Sequence, residues 1–290
     1  MPRPVQQSAG SKVPPPVVSG RWLLKAIGAV ILLALVCSYI SLMFLFYQGQ
    51  WQIVLHPDQA VHSQPAPEGL IRFGPDESGQ PQLTGEWQQA AIGGKYGDLT
   101  VLFLPGGNGS RKDSQTTIEA LHQLGLNVFD FDYRGYGLSA AIHPNQQRMT
   151  EDSETAWCYL TGTRKIPSGK IIPYGIDVGA SLAARLVSQH HEITALILDR
   201  PRADLLEFAR ADTRSGLLPV SLLFHERFPL AAPLSTLGTP KLLIAKDGDK
   251  LPPAFASAAM PKMTVQLRAS DGPVFEESVR RFLDQYVGAR

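Results

Sequence analysis

An apolar stretch near the start of the chain restricts its architecture more than any other feature. Residues 26–47 carry no charged side chain over 22 positions, and roughly 20 apolar residues are enough for a helix to cross the hydrocarbon layer. A buried core helix usually keeps a polar face. The apolar region of a cleavable signal peptide is about 7–15 residues long and precedes small residues, whereas this stretch ends in MFLFY. We therefore predict an uncleaved transmembrane helix over residues 22–47.

The segment before this helix indicates its orientation. Residues 1–21 are rich in proline and small polar residues and lack the material for a core, so we predict a disordered cytoplasmic tail. Four basic residues precede the apolar stretch, and the next one is Arg72. Because positively charged flanks stay in the cytoplasm, we expect residues 48–290 on the other side of the bilayer. In a bacterial inner membrane that side is the periplasm.

Composition excludes several functional classes. Lys and Arg number 27 against 26 Asp and Glu, a net charge of +1, which does not favour a nucleic-acid-binding protein. Two cysteines exclude a disulfide scaffold and a site built from several thiolates. We predict no cofactor and no metal. The lipid bilayer is the partner that the sequence indicates, and a small molecule or a protein remains open.

Beyond residue 51, short apolar runs alternate with helical patterns. Near-continuous apolar runs are typical of strands buried on both faces, and their alternation with helices indicates an α/β fold, a mostly parallel sheet with helices on both faces. Residues 70–73 and 82–87 resemble an antiparallel meander. The predicted buried strands are residues 100–104, 127–133, 170–176, 195–199 and 241–245, and the predicted helices are residues 113–124, 149–160, 180–190 and 275–287.

Residues 202–237 interrupt this alternation. They place Pro219, Pro229 and Pro233 among apolar residues, and proline ends or kinks helices. We predict a small cap at this position, inserted into an α/β domain that spans residues 48–290.

The first of three notable turns is PGGNGS at residues 105–110, directly after a predicted strand. In open parallel sheets, ligands bind at the carboxyl ends of the strands. The glycines let backbone N–H groups approach a ligand closely, and the following helix start favours negative charge. A phosphate-binding loop would end in Gly-Lys-Ser or Gly-Lys-Thr, but here the chain continues Ser-Arg-Lys, which disfavours that interpretation.

The other two turns have the spacing of hydrolase motifs. GIDVG at residues 175–179 matches a nucleophile elbow, a strained strand-to-helix turn that presents its central side chain, here Asp177. DGD at residues 247–249 follows a late predicted strand, where hydrolases carry the acid that orients the catalytic histidine. All three turns are therefore expected at one edge of the sheet.

Four segments around these turns carry a family resemblance: LFLPGGNG, VFDFDYRGYGLS, KIIPYGIDVGASLAARL and PLSTLGTPKLLIAKDGDKLPP. With them, residues 70–287 resemble the serine-peptidase-like α/β-hydrolases of the BEM46/ABHD13 group, whose members often carry an N-terminal membrane anchor. The resemblance implies an α/β-hydrolase fold with Asp177 at the nucleophile position and Asp249 at the acid position. It also implies an oxyanion hole made by the backbone N–H groups of Gly107 and Val178.

The chain departs from this pattern where catalysis depends on it. Asp177 replaces the elbow serine, the loop begins Pro-Gly instead of His-Gly, and the position of the catalytic histidine is taken by Asp271 or Gly272. The last histidine is His225, which precedes Asp249, so the order nucleophile, acid, histidine is incomplete. We predict a degenerate triad and a domain that binds a small molecule or a partner without hydrolysing it.

Three alternatives remain open. The first is an active hydrolase in which Asp177 is the nucleophile; its ester intermediate would need a base for hydrolysis, and His143 and His225 are the candidate substitutes. In the second, Asp177, Asp249 and Asp271 converge and hold a hard cation such as calcium or magnesium. In the third, Asp177 only caps the following helix.

The predicted orientation is testable with a reporter fused after Arg290. We expect the reporter to be active outside the cytoplasm, because four basic residues precede the apolar stretch and none follows until Arg72. Protease added to that side of the membrane should digest the domain. A reporter active only in the cytoplasm would show that the orientation is wrong.

Overall fold

The computed structural model describes residues 19–58, 69–109, 114–202, 205–212, 216–268 and 272–288. Most of the predicted tail, and Asp271, lie outside these ranges. The chain divides into two compact units, Met1–Tyr47 and Gln48–Arg290.

A long apolar helix, α1, spans Gly20–Gly49 and has a mean hydropathy of 2.6 in its most apolar part. Within the described ranges it is the one helix long and apolar enough to cross a membrane. A signal sequence near the N-terminus passes the same test of length and hydropathy. The predicted apolar helix is therefore present, and its position in a bilayer stays a prediction.

The second unit consists of short strands and helices that alternate along the chain. The strands in the described residues are β1 His56–Pro57, β2 Ile71–Pro75, β3 Pro81–Gln88, β4 Thr100–Leu104, β5 Asn108–Gly109, β6 Asn127–Asp132, β7 Ile171–Ile176, β8 Leu196–Asp199, β9 Lys241–Lys246 and β10 Lys262–Leu267. The helices are α2 Trp51–Val54, α3 Gln115–Gln123, α4 Gln146–Cys158, α5 Gly179–Gln189, α6 Leu205–Ala211, α7 Val220–Leu223, α8 Ala231–Thr236, α9 Pro253–Ala256 and α10 Gly272–Tyr286. A π-helical turn, Tyr159–Thr163, extends α4.

Eight of these strands form one sheet in the order β2-β3-β6-β4-β7-β8-β9-β10. Strand β3 runs antiparallel to β2 and β6, and all other neighbours are parallel. The mostly parallel sheet and the antiparallel meander are thus confirmed. The carboxyl ends of β4, β7, β8, β9 and β10 meet at one edge, which places the loops after these strands side by side.

Both faces of the sheet are covered. Val101 and Phe103 pack with Ile118 of α3 and Phe282 of α10 in one buried cluster. Successive strand residues point to opposite faces, and Leu102, which points away from this cluster, is also fully buried. Helices α4 and α5 contact each other and β4. The predicted arrangement with helices on both faces is correct.

The five predicted buried strands coincide with β4, β6, β7, β8 and β9 to within one residue at either end. Strand β10 was not predicted, because it lies at the sheet edge and its residues are mostly half-buried or exposed. Short helices α6, α7 and α8 lie between β8 and β9, in the region predicted to form a cap.

The turn between β7 and α5 brings backbone segments into close contact. Asp177 has a φ of +56°, a left-handed conformation that is costly for a residue with a side chain. A Cβ atom on Gly175 would collide with the backbone of Gly179, and one on Gly179 would collide with the carbonyl oxygen of Leu104. Glycine is therefore required on both sides of Asp177, as the elbow spacing indicates.

Replacing Gly179 by alanine tests this close approach. We expect Gly179→Ala to lower the melting temperature by roughly 3–10 °C, because overpacking costs about 1–3 kcal/mol or more in a domain of this size. Gly272→Ala is the matched control, since a Cβ there meets nothing within 4 Å. Equal melting temperatures for the two variants, measured by circular dichroism in mild detergent, would contradict the elbow geometry.

Candidate functional site

The carboxylate of Asp177 lies at the carboxyl edge of the sheet and forms a two-pronged ion pair with Arg202. Arg202 Nε donates to Asp177 Oδ1 at 2.8 Å and Nη2 donates to Oδ2 at 2.9 Å. Both side chains are about one fifth exposed, at 21% and 19%. Bidentate arginine–carboxylate pairs are among the strongest hydrogen-bonded pairs in proteins, so the elbow carboxylate is held by a cation.

The loop after β4 supplies a third donor to this carboxylate. The backbone N–H of Gly107 donates to Asp177 Oδ2 at 3.0 Å, and a Cβ on Gly106 would come within 3.0 Å of Asp177 Cβ. Gly107 is one of the two predicted oxyanion donors. In a hydrolase such a donor stabilises the negative oxygen of the reacting substrate, but here it is bonded to a side chain of the same chain.

Val178, the other predicted oxyanion residue, directly follows Asp177 and precedes the first residue of α5. Its side chain is buried, at 1% exposed. The carboxylate of Asp177 is directed to Gly107 and Arg202, and α5 has no side-chain hydrogen bond at its capping position. The interpretation of Asp177 as a simple helix cap therefore does not describe its contacts.

The segment that follows α1 covers this loop. Strand β1 pairs in parallel with β5, and the N–H of His56 donates to the carbonyl oxygen of Gly107 at 2.8 Å. Val54 and Leu55 are buried, at 0% and 1% exposed, and the carbonyl oxygen of Val54 accepts from Arg202 Nη1 at 2.7 Å. Space next to the elbow is thus filled by residues 51–57 of the chain itself.

Two buried tyrosines hold the loop after β4 from its other side. Tyr136 Oη donates to the carbonyl oxygen of Gly107 at 3.0 Å, and Tyr133 Oη donates to that of Pro105 at 3.3 Å. Burial raises the pKa of both phenols well above the ordinary value, so both remain protonated donors at neutral pH. The loop is therefore rigidly positioned against the elbow.

The histidines considered as substitute bases make ring contacts and hydrogen bonds with residues other than Asp177. His143 is exposed, with its ring centroid 5.0 Å from that of Trp51. His225 is also exposed, and its Nδ1 lies 2.6 Å from the carbonyl oxygen of Leu223, to which it donates. In the described ranges, the hydrogen-bond partners of the Asp177 carboxylate are Gly107 and Arg202, and no histidine is among them.

The predicted acid and histidine positions lie farther along the edge, after β9 and after β10. Asp249 follows β9, two strands from β7 in the sheet, and its side chain is exposed. Gly272 is the first residue of α10, and Asp271 lies outside the described residues. Among the described residues, no group of three or more His, Cys, Asp or Glu side chains forms a metal-binding cluster.

Two residues at this site were missed by sequence reasoning. Arg202 lies three residues after β8, at the first position of the predicted cap, and the only signal was a basic residue near the carboxyl end of a strand. His56 contacts the loop after β4 directly, and its Nδ1 lies 3.0 Å from Asn108 Oδ1. It lies 52 positions before Asn108, so spacing along the chain did not indicate this contact.

The chain has recognisable relatives. Residues 97–226 match a family model described as serine aminopeptidase, S33. An uncharacterized protein of Mycobacterium tuberculosis is 29% identical over 278 residues, which cover 90% of this chain and 96% of that protein. A shorter match, 30% identical, links 38% of this chain to 36% of the α/β-hydrolase domain-containing protein WAV2 of Arabidopsis thaliana.

Solved structures show the same fold. An esterase of Pyrococcus furiosus superposes with a TM-score of 0.59 and 20% identity, over 80% of this chain and 98% of the esterase chain. An α/β-hydrolase of Vibrio vulnificus gives a TM-score of 0.57 and 22% identity, over 75% of this chain and 81% of that one. The protein thus has the α/β-hydrolase fold. Fold and sequence matches together support its placement in the α/β-hydrolase superfamily.

A double-mutant cycle measures the coupling energy between Asp177 and Arg202. For Asp177→Asn, Arg202→Met and the double variant, we expect a coupling energy of about 1–3 kcal/mol in the free energy of unfolding, because each single change leaves a partly buried group unpaired. The exposed pair Asp98–Lys170, with side chains 62% and 45% exposed, is the control. Its coupling energy should be below about 1 kcal/mol. Equal coupling energies in the two cycles would contradict this assignment.

Proposed function

We propose that this chain is a membrane-anchored member of the α/β-hydrolase superfamily whose domain binds a small molecule or a protein partner without hydrolysing it. The observation that carries the proposal is the set of contacts around Asp177. Its carboxylate is bonded to the Arg202 guanidinium and to the Gly107 N–H.

These contacts oppose nucleophilic attack by Asp177. A carboxylate attacks through an oxygen lone pair, and both oxygens accept charge-assisted bonds from Arg202. The donor that would stabilise a developing negative charge on a substrate, Gly107 N–H, is occupied by the same carboxylate. Substrate binding at the elbow would have to break these bonds first, which supports a loss of hydrolase chemistry.

Among the described residues, none of the candidate bases is a hydrogen-bond partner of the Asp177 carboxylate. His143 and His225 are exposed and make local contacts, and Asp249 is exposed on the loop after β9. General-base catalysis needs the base within hydrogen-bond reach of the proton that it removes, or one water away. The buried Val54 and Leu55 beside the loop also support an elbow closed to substrate.

The remaining parts of the proposal rest on the sequence. We infer that the chain belongs to the BEM46/ABHD13 group because of the motifs GGNG, DYRGYG and GIDVG. We infer that α1 anchors it in the bilayer with the N-terminus in the cytoplasm, because basic residues precede α1. Residues 202–237, with α6, α7 and α8, are inferred to be a cap on a domain that spans residues 48–290.

One observation favours the alternative, an enzyme that uses Asp177 as nucleophile. The backbone of Asp177 keeps the left-handed conformation, φ +56°, in which an elbow presents its central side chain. Strain of this kind clusters at functional sites. Release of Arg202 from the carboxylate would then be required before each turnover.

Turnover in heavy-oxygen water separates the two functions. A carboxylate nucleophile forms an alkyl ester with an epoxide or an alkyl halide, and water then attacks the carbonyl carbon of that ester, so repeated turnover leaves solvent oxygen in the carboxylate itself. We expect no mass increase in the peptide containing Asp177 after incubation of the full chain with epoxides and alkyl halides. We also expect no fluorophosphonate labelling, because the elbow has no serine.

Two variants serve as controls for this test. Arg202→Met frees the carboxylate, so an Asp177-based enzyme would be at least as active as the wild type in this variant. Asp177→Asn removes the nucleophile and should abolish any such activity. We expect wild type and both variants to match the uncatalysed rate; activity that requires Asp177, or heavy oxygen in its carboxylate, would overturn the proposal.

A further inference from the structure

The carboxyl edge of the sheet also contains a cavity, next to the elbow on the side of β8. The cavity of about 340 Å³ is lined by residues at the ends of β8, β9 and β10 and by residues of α3 and α10. This volume suits a small organic ligand. Its described lining includes neither Asp177 nor Arg202 and includes Gly272, at the predicted histidine position.

Arg200 is held in the wall of this cavity before any ligand binds. Its Nε and Nη2 donate to the two carboxylate oxygens of Asp199, each at 2.9 Å. Asp199 is 2% exposed and also accepts from Tyr174 Oη at 2.8 Å. A guanidinium has five N–H donors, and this pair uses two of them, while the Arg200 side chain is 44% exposed. The other three N–H donors of this fixed guanidinium are therefore available to a ligand.

The backbone of Arg200 is also unusual. Its φ is +43°, a conformation that costs energy for a non-glycine residue and that clusters at ligand-binding positions. The N–H of Arg200 donates to the carbonyl oxygen of Ile244 at 2.8 Å, which ties the end of β8 to β9. The strained backbone of Arg200 and the buried carboxylate of Asp199 thus fix the direction of the Arg200 side chain.

The other charges in the lining are mostly positive. Lys246 lines the cavity and is exposed. Arg268 lines it too and is paired with Asp247 at 2.8 Å. Asp199 is the one acidic residue in the described lining, and its charge is balanced by Arg200. The described lining therefore has an excess of positive charge.

The rest of the wall is apolar or weakly polar. Ile244, Leu267 and Phe275 supply apolar surface, and Thr116 and Thr117 supply hydroxyl groups. A ligand that fits such a wall has an anionic group at one end and a small apolar body. Preformed cations reduce the ordering cost of binding such an anion.

We propose that this cavity binds a small organic anion, in which a phosphate or carboxylate group contacts Arg200 and Lys246 and an apolar group contacts Leu267 and Phe275. The planar guanidinium of arginine can bond two oxygens of a carboxylate or of a phosphate at the same time. The inference does not depend on whether the elbow is catalytically active, so its test and the heavy-oxygen test fail independently.

Fluorine NMR of the full-length protein in a neutral detergent tests the proposal. The probes are fluorophenyl phosphate and fluorobenzoate, with fluorobenzyl alcohol as the neutral analogue and protein-free micelles as the baseline. We expect saturable binding of at least one anionic probe, competition by the other anion or by inorganic phosphate, and no comparable binding of the alcohol. The two anionic probes distinguish a phosphate site from a carboxylate site.

Substitutions of residues in the lining test whether the probes bind in this cavity. We expect Lys246→Gln and Arg200→Gln each to weaken binding about tenfold, because each removes a charge-assisted contact. Lys250→Gln, an exposed lysine of the same loop that is not in the described lining, should change affinity by less than about twofold. If Arg200→Gln unfolds the protein, the affinity of the Lys246→Gln variant still tests the proposal.

Three results would overturn the proposal. One is the absence of saturable binding of either anionic probe at probe concentrations up to about 10 mM, because a dissociation constant above that value corresponds to negligible affinity. Another is equal binding of the neutral alcohol. The third is a Lys250→Gln variant that loses as much affinity as Lys246→Gln, since that result would assign the effect to general surface charge.

Discussion

The ion pair between Asp177 and Arg202 is the interaction on which the arrangement at this edge of the sheet depends. Arg202 bonds the elbow carboxylate through Nε and Nη2 and the carbonyl oxygen of Val54 through Nη1. One guanidinium thereby joins the elbow, the chain after β8 and the segment after α1. A partly buried carboxylate without its cation is costly, so an aspartate at the elbow is compatible with this fold because Arg202 is there.

The backbone of the elbow is independent of the side chain that it presents. Gly175 and Gly179 allow a close approach of β7, α5 and the end of β4, and this packing keeps Asp177 in the left-handed conformation. The turn thus combines a strained backbone with an aspartate at its centre. Function is a property of the residues at a site and does not follow from the fold.

The carboxyl edge of the sheet is divided into a filled part and an open part. Beside β4 and β7, the Asp177 carboxylate, Arg202 and Leu55 occupy the region around the loop that contains Gly107. Beside β8, β9 and β10 there is a cavity, and its described lining contains more cationic than anionic side chains. A ligand-binding role is therefore better supported at the ends of β8, β9 and β10 than at the elbow itself.

The sequence by itself determined the α/β class, the five buried strands, the glycines of the elbow and the absence of its serine and of a following histidine. These features depend on local periodicity, short spacing and chain order. Strand β10 was missed because an exposed edge strand lacks a continuous apolar run. Only the tertiary structure decided that Arg202 pairs with Asp177, 25 positions away, and with Val54, 148 positions away. Such contacts depend on which chain segments the parallel sheet brings together, and no local pattern encodes that proximity.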